Sequence, residues 1–248
     1  MRARIVIVLV VAAITIAACD KGTQAPATNP SPRPAATYQL PSSIKYTYNW
    51  AASSGIDLTA PPSIVTRAVI ESMDITSTTD MRSGYPGYAQ FAADQPQLDF
   101  SQYPGKIRDL TGTYYASIVR LDQGQDGTWH AGVCSWAGAT AFEDGRQYTN
   151  KLGVAMLYPQ PMSFDLRATT ESDQSKTAPG FGPARAPSAN VFKGWSLSNF
   201  ELVSTSDRQT CDDLTPSRLP AQFQSHEPQR FDRPPPVLPP IPGWPDSN

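Results

Sequence analysis

Histidine, cysteine and clusters of basic residues are scarce in this chain. Its 248 residues include two histidines and three cysteines, and no run of Lys or Arg follows Arg4. Nucleic acids and anionic surfaces are bound through clustered positive charge, so the sequence argues against a nucleic-acid-binding protein. Two histidines are too few for a histidine-rich metal site. The chain also lacks an apolar run of the roughly 20 residues that span a bilayer as a helix.

The first 19 residues carry the clearest signal in the sequence. Arg2 and Arg4 precede a run of uncharged, mostly apolar residues from Ile5 to Ala18, and Cys19 follows directly. A basic start, a short apolar run and small residues at its end are typical of a cleaved secretory signal. The four residues Ile16-Ala17-Ala18-Cys19 resemble the lipobox of bacterial lipoproteins.

That resemblance implies that residues 1–18 are a lipoprotein signal peptide and that Cys19 becomes the lipidated N-terminus. Acyl chains such as palmitate would then hold the protein on the extracytoplasmic face of the cell membrane, because each buried methylene adds about 0.8 kcal/mol of binding free energy. Without the signal peptide the chain has 18 basic and 22 acidic side chains, so the lipid is the expected membrane contact. The alternatives are an ordinary signal peptide cleaved after Ala18 and an uncleaved anchor.

The remaining two cysteines, Cys134 and Cys211, are expected to form a disulfide. Thiols of exported proteins become oxidised, and lipidation of Cys19 leaves only this intramolecular pairing. The bond would constrain the unfolded chain by about 4 to 5 kcal/mol in the loop-entropy model. Two buried free thiols are the alternative.

The distribution of proline divides the chain into regions. The 25 prolines concentrate near the two ends, which is typical of tethers and tails. We expect a flexible tether over residues 19–40, a globular domain over residues 41–214 and a proline-rich tail over residues 215–248. The tail should lack regular secondary structure, because proline cannot donate the backbone hydrogen bonds of a helix or a central strand.

Two roles are open for this tail. Proline runs commonly act as extended spacers, and that is the simpler interpretation. Docking on the domain or on a partner is the alternative, because a spacer has no reason to expose large apolar side chains. The tail has four of them, namely Val237, Leu238, Ile241 and Trp244.

The domain itself begins with predicted helices. Apolar residues at helical spacing predict a helix from Pro61, a favourable first position, to about Asp74. One face of this helix should meet a sheet. A second, shorter helix is predicted over residues 87–94.

The rest of the domain is predicted to consist of strands. Thr113–Leu121 and Thr128–Trp136 are rich in β-branched and aromatic residues and flank a turn, which is typical of a hairpin. Residues 162–168 alternate between apolar and polar side chains, as a half-buried strand does. The apolar parity shifts within residues 195–203, which predicts a bulge near Asn199.

Helices followed by strands predict an α+β fold, with N-terminal helices packed on a curved antiparallel sheet and disordered proline-rich ends. This order of elements resembles the nuclear-transport-factor-2-like fold. A second resemblance lies in Phe181-Gly-Pro-Ala-Arg-Ala-Pro-Ser-Ala-Asn-Val-Phe192, followed by Gly194 and Trp195. The stretch is similar to one in uncharacterised lipoproteins of actinobacterial envelopes, which implies the same localisation and no particular activity.

His130 is the one residue that suggests a site. It lies in a predicted strand, on the face shared with Cys134 and Trp136, where an imidazole is a conceivable general base. A histidine hydrogen-bonded near the sheet surface is the simpler interpretation, because sequence spacing supplies no partner. A candidate pocket combines it with nearby aromatic residues of the predicted hairpin: Trp129, His130, Trp136, Tyr114 and Tyr115.

No residue is assigned a catalytic role, and no metal or cofactor is expected. The adjacent carboxylate pairs Glu143–Asp144 and Asp212–Asp213 would point to opposite faces of an extended segment. The sequence therefore favours a lipid-anchored cell-envelope protein with a non-enzymatic domain that binds a small apolar ligand or another envelope protein. The alternative is a secreted enzyme of unrecognised type with a pocket near His130.

Overall fold

The computed structural model describes residues 38–100, 109–150, 158–169 and 181–246. Within these ranges, eight strands form one sheet. The strands are β1 (Ile44–Ala52), β2 (Leu110–Gln123), β3 (Trp129–Trp136), β4 (Thr140–Asp144), β5 (Gln147–Thr149), β6 (Gln160–Ala168), β7 (Trp195–Glu201) and β8 (Arg230–Phe231). The α-helices are α1 (Pro61–Thr78), α2 (Tyr88–Phe91) and α3 (Arg208–Arg218). No helix in these ranges is both long and apolar enough to cross a membrane.

Strand β2 organises the sheet. Strand β1 pairs with it in parallel from Ile44 opposite Leu110 to Ala52 opposite Ile118. The other edge of β2 is shared, since β3 and β4 both pair with it antiparallel. The sheet continues from β3 to β6 and β7 on one side and from β4 to β5 and β8 on the other.

Local predictions for the strands are confirmed. Strands β2 and β3 form the expected antiparallel hairpin, closed by Gln123 opposite Trp129. Gly127 in the turn has a φ of 81°, a conformation that glycine adopts without steric cost. The bulge near Asn199 is also present, because Asn199 has a φ of 50° and the pairing of β6 with β7 shifts register between Ser163 and Asp165.

Helix α1 begins where the sequence predicts and extends one turn further. Pro61 occupies its first turn and Ala60 precedes it with an extended backbone. The sequence predicts that one face of this helix is buried. The buried surface is larger than that, because every residue from Pro62 to Thr76 is buried. The helix is therefore an interior element.

The predicted α+β fold is wrong, because the protein has a mainly β fold. The chain does not begin with helices: β1 precedes α1 and makes the longest parallel pairing of the sheet. The second predicted helix shrinks to the four residues of α2. The element order that resembled the nuclear-transport-factor-2-like fold is therefore absent from the described chain.

The predicted disorder of the C-terminal end is also wrong. Helix α3 continues through Pro216 to Arg218, β8 pairs with β5, and Ile241 bridges to Asn49 of β1. Proline lacks a backbone N–H but keeps its carbonyl, and the tail uses such carbonyls together with the N–H groups of Ile241 and Trp244. Residues 1–37, which hold the predicted signal peptide, Cys19 and most of the tether, lie outside the described residues.

The sheet has two buried faces, because successive residues of a strand point to opposite sides. The α1 face carries Tyr46, Tyr48, Trp50, Tyr114 and Val133, which belong to the larger core. The α3 face carries a smaller core that includes residues of α3 and the segment after it. This smaller core contains Tyr115, Cys134, Trp136, Ala139, Cys211, Leu219 and Phe223.

Candidate functional site

Helix α1 carries three charged residues into the larger core. Arg67, Glu71 and Asp74 are spaced by four and three residues, so they lie along one stripe of the helix. Their exposed fractions are 0%, 1% and 7%. Charged side chains are almost never buried to this extent without partners, so their contacts define the chemistry of this stripe.

The Glu71 carboxylate accepts hydrogen bonds from three distant parts of the chain. Trp50 Nε1 donates to Oε1 at 2.7 Å, while Tyr85 Oη and Trp244 Nε1 donate to Oε2 at 2.5 Å and 2.8 Å. Burial raises the pKa of Glu71, and the charge of Arg67 and the three donors oppose that rise. One side chain thus joins β1, the segment before α2 and the C-terminal segment.

Arg67 lies between this carboxylate and the tail. Its Nη2 donates to the Pro242 carbonyl at 2.7 Å, and its guanidinium carbon sits 4.5 Å from the centre of the Trp244 ring. That distance suits a cation–π contact, which is strong when desolvated. Nε is 3.9 Å from Glu71 Oε1, and burial lowers the pKa of the guanidinium.

The C-terminal segment fits closely against the domain at this point. Trp244 is 2% exposed, and its backbone exchanges two hydrogen bonds with Ala184. A Cβ on Gly243 would lie 2.2 Å from the carbonyl oxygen of Gly182, so only glycine permits this approach. The tail therefore docks on its own domain rather than acting as a plain spacer.

Asp74 has a different environment from Glu71. Tyr48 Oη donates to Asp74 Oδ2 at 2.6 Å, and the ion pairs between described residues do not include Asp74. Burial raises its pKa to about 7, with a further increase from the charge of Glu71. Asp74 therefore keeps its proton to a higher pH than an exposed carboxyl group does.

A small cavity lies beside Asp74, between α1 and the sheet. Its volume is about 110 Å³. Most of its wall is apolar, with Tyr114 on β2 and Met162 on β6 facing α1. Two larger hollows are open and shallow at the surface: about 700 Å³ beside α2 and about 220 Å³ near Tyr38 and Ala184. The Asp74 cavity is the hollow among these three that adjoins a buried ionisable group.

The α3 face is closed by the predicted disulfide, which is confirmed. Cys134 of β3 is bonded to Cys211 of α3 across 77 residues of sequence. Trp136 Nε1 donates to Thr215 Oγ1 at 2.8 Å beside it. Arg218, at the end of α3, reaches back to the carbonyl oxygens of Asn49 and Ala116.

His130 has a carboxylate partner that sequence spacing did not reveal. Strands β3 and β6 place it opposite Asp165, and its Nδ1 lies 2.6 Å from Asp165 Oδ1. Asn199 donates to the other oxygen of Asp165 at 2.7 Å. The His130 side chain is 44% exposed, and a Cβ on Gly124 would lie 3.3 Å from its Nε2. The pair is therefore a surface feature next to the hairpin turn.

The other predicted pocket residues are divided between the two faces. Tyr114 lies in the larger core, with Trp129 packed at its edge, whereas Tyr115 and Trp136 lie in the smaller core. His130 shares the α3 face with Trp136 but lies six residues away along β3. The sheet therefore does not bring these five side chains around one hollow.

Sequence reasoning missed the stripe of Arg67, Glu71 and Asp74. A signal was available, because these residues interrupt the apolar helix sequence Ile64-Val-Thr-Arg-Ala-Val-Ile-Glu-Ser-Met-Asp-Ile75 at helical spacing. A charged stripe within a helix that is apolar on its other sides indicates buried partners. The sequence gives no indication that Trp244 is among them.

Comparison with protein-family models, with curated proteins and with solved structures found no match to this chain.

Proposed function

We propose that this protein is a lipid-anchored cell-envelope protein whose domain is a non-enzymatic binding module. The location is supported by the N-terminal sequence, in which two arginines, a short apolar run and Cys19 stand in the order of a lipoprotein signal. The disulfide between Cys134 and Cys211 fits an exported protein, because such bonds persist in oxidising compartments.

The filled interior of the α1 face is the observation that supports a binding module. Helix α1 and the aromatic residues of β1 and β2 occupy the space that a large substrate cleft would need. Between the described residues of this face lies the cavity of about 110 Å³ beside Asp74. Substrate pockets of drug-sized ligands are several times larger, roughly 300 to 1,000 Å³, so this cavity suits a small ligand.

An enzyme that uses His130 is the second candidate. It is favoured by the 2.6 Å contact between His130 Nδ1 and Asp165, an arrangement that orients an imidazole in acid–base catalysis. Such catalysis also needs a reacting group within about 3 Å of the free Nε2. A Cβ on Gly124 would lie 3.3 Å from that atom, so the hairpin turn adjoins it.

Hydrolysis of model esters and peptides separates the two candidates. A binding module predicts no turnover above the uncatalysed rate by the full-length protein, and no difference between wild type and His130→Gln. Turnover that is lost in both His130→Gln and Asp165→Asn, with the circular dichroism spectrum unchanged, would establish the enzyme instead.

Fatty-acid labelling tests the anchor. Cells that express the wild type should incorporate labelled palmitate into this protein, and cells that express Cys19→Ala should not. Cys134→Ala/Cys211→Ala is the matched control, because it removes two thiols and keeps the proposed lipidation site. Equal incorporation by wild type and Cys19→Ala would overturn the lipid anchor.

A further inference from the structure

The cavity beside Asp74 combines a mostly apolar wall with one carboxyl group and the uncharged polar side chains of Ser77, Ser135 and Gln160. Asp74 lies at its polar side, and Tyr114, Phe100, Met73, Met162 and Leu202 supply rings, thioethers and an aliphatic group. Leu202 is 36% exposed, so the cavity approaches the surface on that side. A volume of about 110 Å³ corresponds to roughly four water molecules.

The charge of Asp74 is unbalanced within the described chain. Arg67, the basic residue on the same helix stripe, pairs with Glu71 and with the tail carbonyl of Pro242. Tyr48 occupies Asp74 Oδ2, and none of the hydrogen bonds between described residues uses Oδ1. A buried carboxylate without a counter-charge carries a large desolvation cost. A cation in the adjoining space removes that cost.

The chemistry of the wall selects among cations. A divalent metal ion requires about six oxygen ligands, and Asp74 is the one carboxylate in this wall. Alkylammonium ions instead favour aromatic faces through cation–π attraction and tolerate soft thioether neighbours. Tyr114 and Phe100 provide rings of this kind, and Met73 and Met162 provide the sulfur atoms.

We infer that the Asp74 cavity is a binding site for a small alkylammonium ion, with the cation paired to the Asp74 carboxylate and its methyl groups against Tyr114 and Met162. This inference rests on the proposed binding function and names its ligand class. An ion of about four heavy atoms fits the volume. Ligands of that size bind with a dissociation constant no lower than about 40 µM, because each heavy atom contributes a limited free energy.

Calorimetric titration with trimethylammonium chloride tests this site in the full-length protein. The neutral comparison is 2-propanol, which also has a central atom with three heavy substituents. Trimethylammonium should bind the wild type saturably and should bind Asp74→Asn at least about tenfold more weakly. Affinity for 2-propanol should be the same in both proteins. Asp165→Asn, which removes a carboxylate of the α3 face, is the matched control and should bind trimethylammonium as the wild type does.

Nuclear Overhauser contacts in the wild type provide evidence that does not depend on the folding of any variant. The ligand methyl protons should show contacts to the Tyr114 ring and to the Met162 methyl group. The absence of saturable trimethylammonium binding, equal affinity in a folded Asp74→Asn protein, or contacts to other residues only would each overturn this site. None of these results bears on the lipid anchor or on turnover, so the failure of this site and the failure of the proposed function are distinguishable.

Discussion

The two faces of the sheet both hold together segments that are far apart in the chain, but they do so by different means. The α3 face relies on a covalent bond between Cys134 and Cys211. The α1 face relies on a buried network in which Glu71 accepts from Trp50, Tyr85 and Trp244. A disulfide acts mainly by restricting the unfolded chain, whereas a buried network acts in the folded state and depends on ionisation.

This difference assigns different tasks to the two faces. The disulfide links α3 to β3 covalently, so this link does not depend on the ionisation of a side chain. The α1 face contains a buried carboxyl group with a raised pKa and a cavity beside it. The proposed ligand site therefore lies on the α1 face, whereas the α3 face is closed by a covalent bond.

Removal of the disulfide should produce the largest loss of stability. The double variant Cys134→Ser/Cys211→Ser should lose about 4 to 5 kcal/mol of unfolding free energy, because the unfolded chain regains the entropy of a 77-residue loop. Urea denaturation measures this loss. Both cysteines are replaced because a single replacement would leave one unpaired thiol. Two alkylatable thiols in exported, folded wild-type protein would contradict the bond itself.

Removal of the Trp244 side chain should produce a loss almost as large on the other face. Trp244→Ala should cost about 4 kcal/mol, because it opens a cavity and removes one buried partner from each of Glu71 and Arg67. Ile241→Ala is the matched control, since Ile241 is 51% exposed on the same segment, and it should change stability little. Equal melting temperatures for wild type and Trp244→Ala would show that the tail does not hold this face closed.

Asp74 should make the stability of the α1 face depend on pH. Its pKa is about 7 in the folded protein and about 3.9 when unfolded, so the folded state binds more protons between these values. Unfolding free energy should therefore fall as pH rises through this window. Relative to Asp74→Asn, the wild type should lose about 3 kcal/mol between pH 4 and pH 7. Parallel stability curves for the two proteins would contradict the buried carboxyl group.

The His130–Asp165 pair should have the smallest effect. Its imidazole is 44% exposed, and exposed ion pairs contribute about 1 kcal/mol or less. Asp165→Asn should therefore shift the urea midpoint only slightly, in contrast to Trp244→Ala. A loss of unfolding free energy as large as that of Trp244→Ala would show that this surface pair stabilises the fold as strongly as the buried contacts do.

Features set by local sequence could be predicted, and features set by distant contacts could not. Turn residues predict the hairpin of β2 and β3, and the shift in apolar parity predicts the bulge at Asn199. The disulfide is predicted by the number of cysteines, because lipidation of Cys19 leaves only two that can pair. Strand β1 is absent from the sequence-based prediction, although Tyr46, Tyr48 and Trp50 alternate with polar residues as a half-buried strand does.

The contacts of the candidate site depend on register and docking. Asp165 faces His130 because β3 and β6 pair at that position, although the two residues are 35 positions apart. The helix sequence indicates that Glu71 has buried partners, but no local pattern identifies Trp244 as one of them. Proline residues supply no backbone donor, but the carbonyl of Pro242 and the N–H groups of Ile241 and Trp244 are sufficient to fix the tail.

The intact mass of the protein purified from the membranes of a bacterial host tests the proposed identity most directly. An envelope lipoprotein predicts a mature chain that starts at Cys19, lacks residues 1–18 and carries two or three acyl chains. Proteolysis should place all of the added mass on the N-terminal peptide. A chain that retains Met1, or one that starts at Cys19 with a free thiol, would contradict the lipid-anchored binding module.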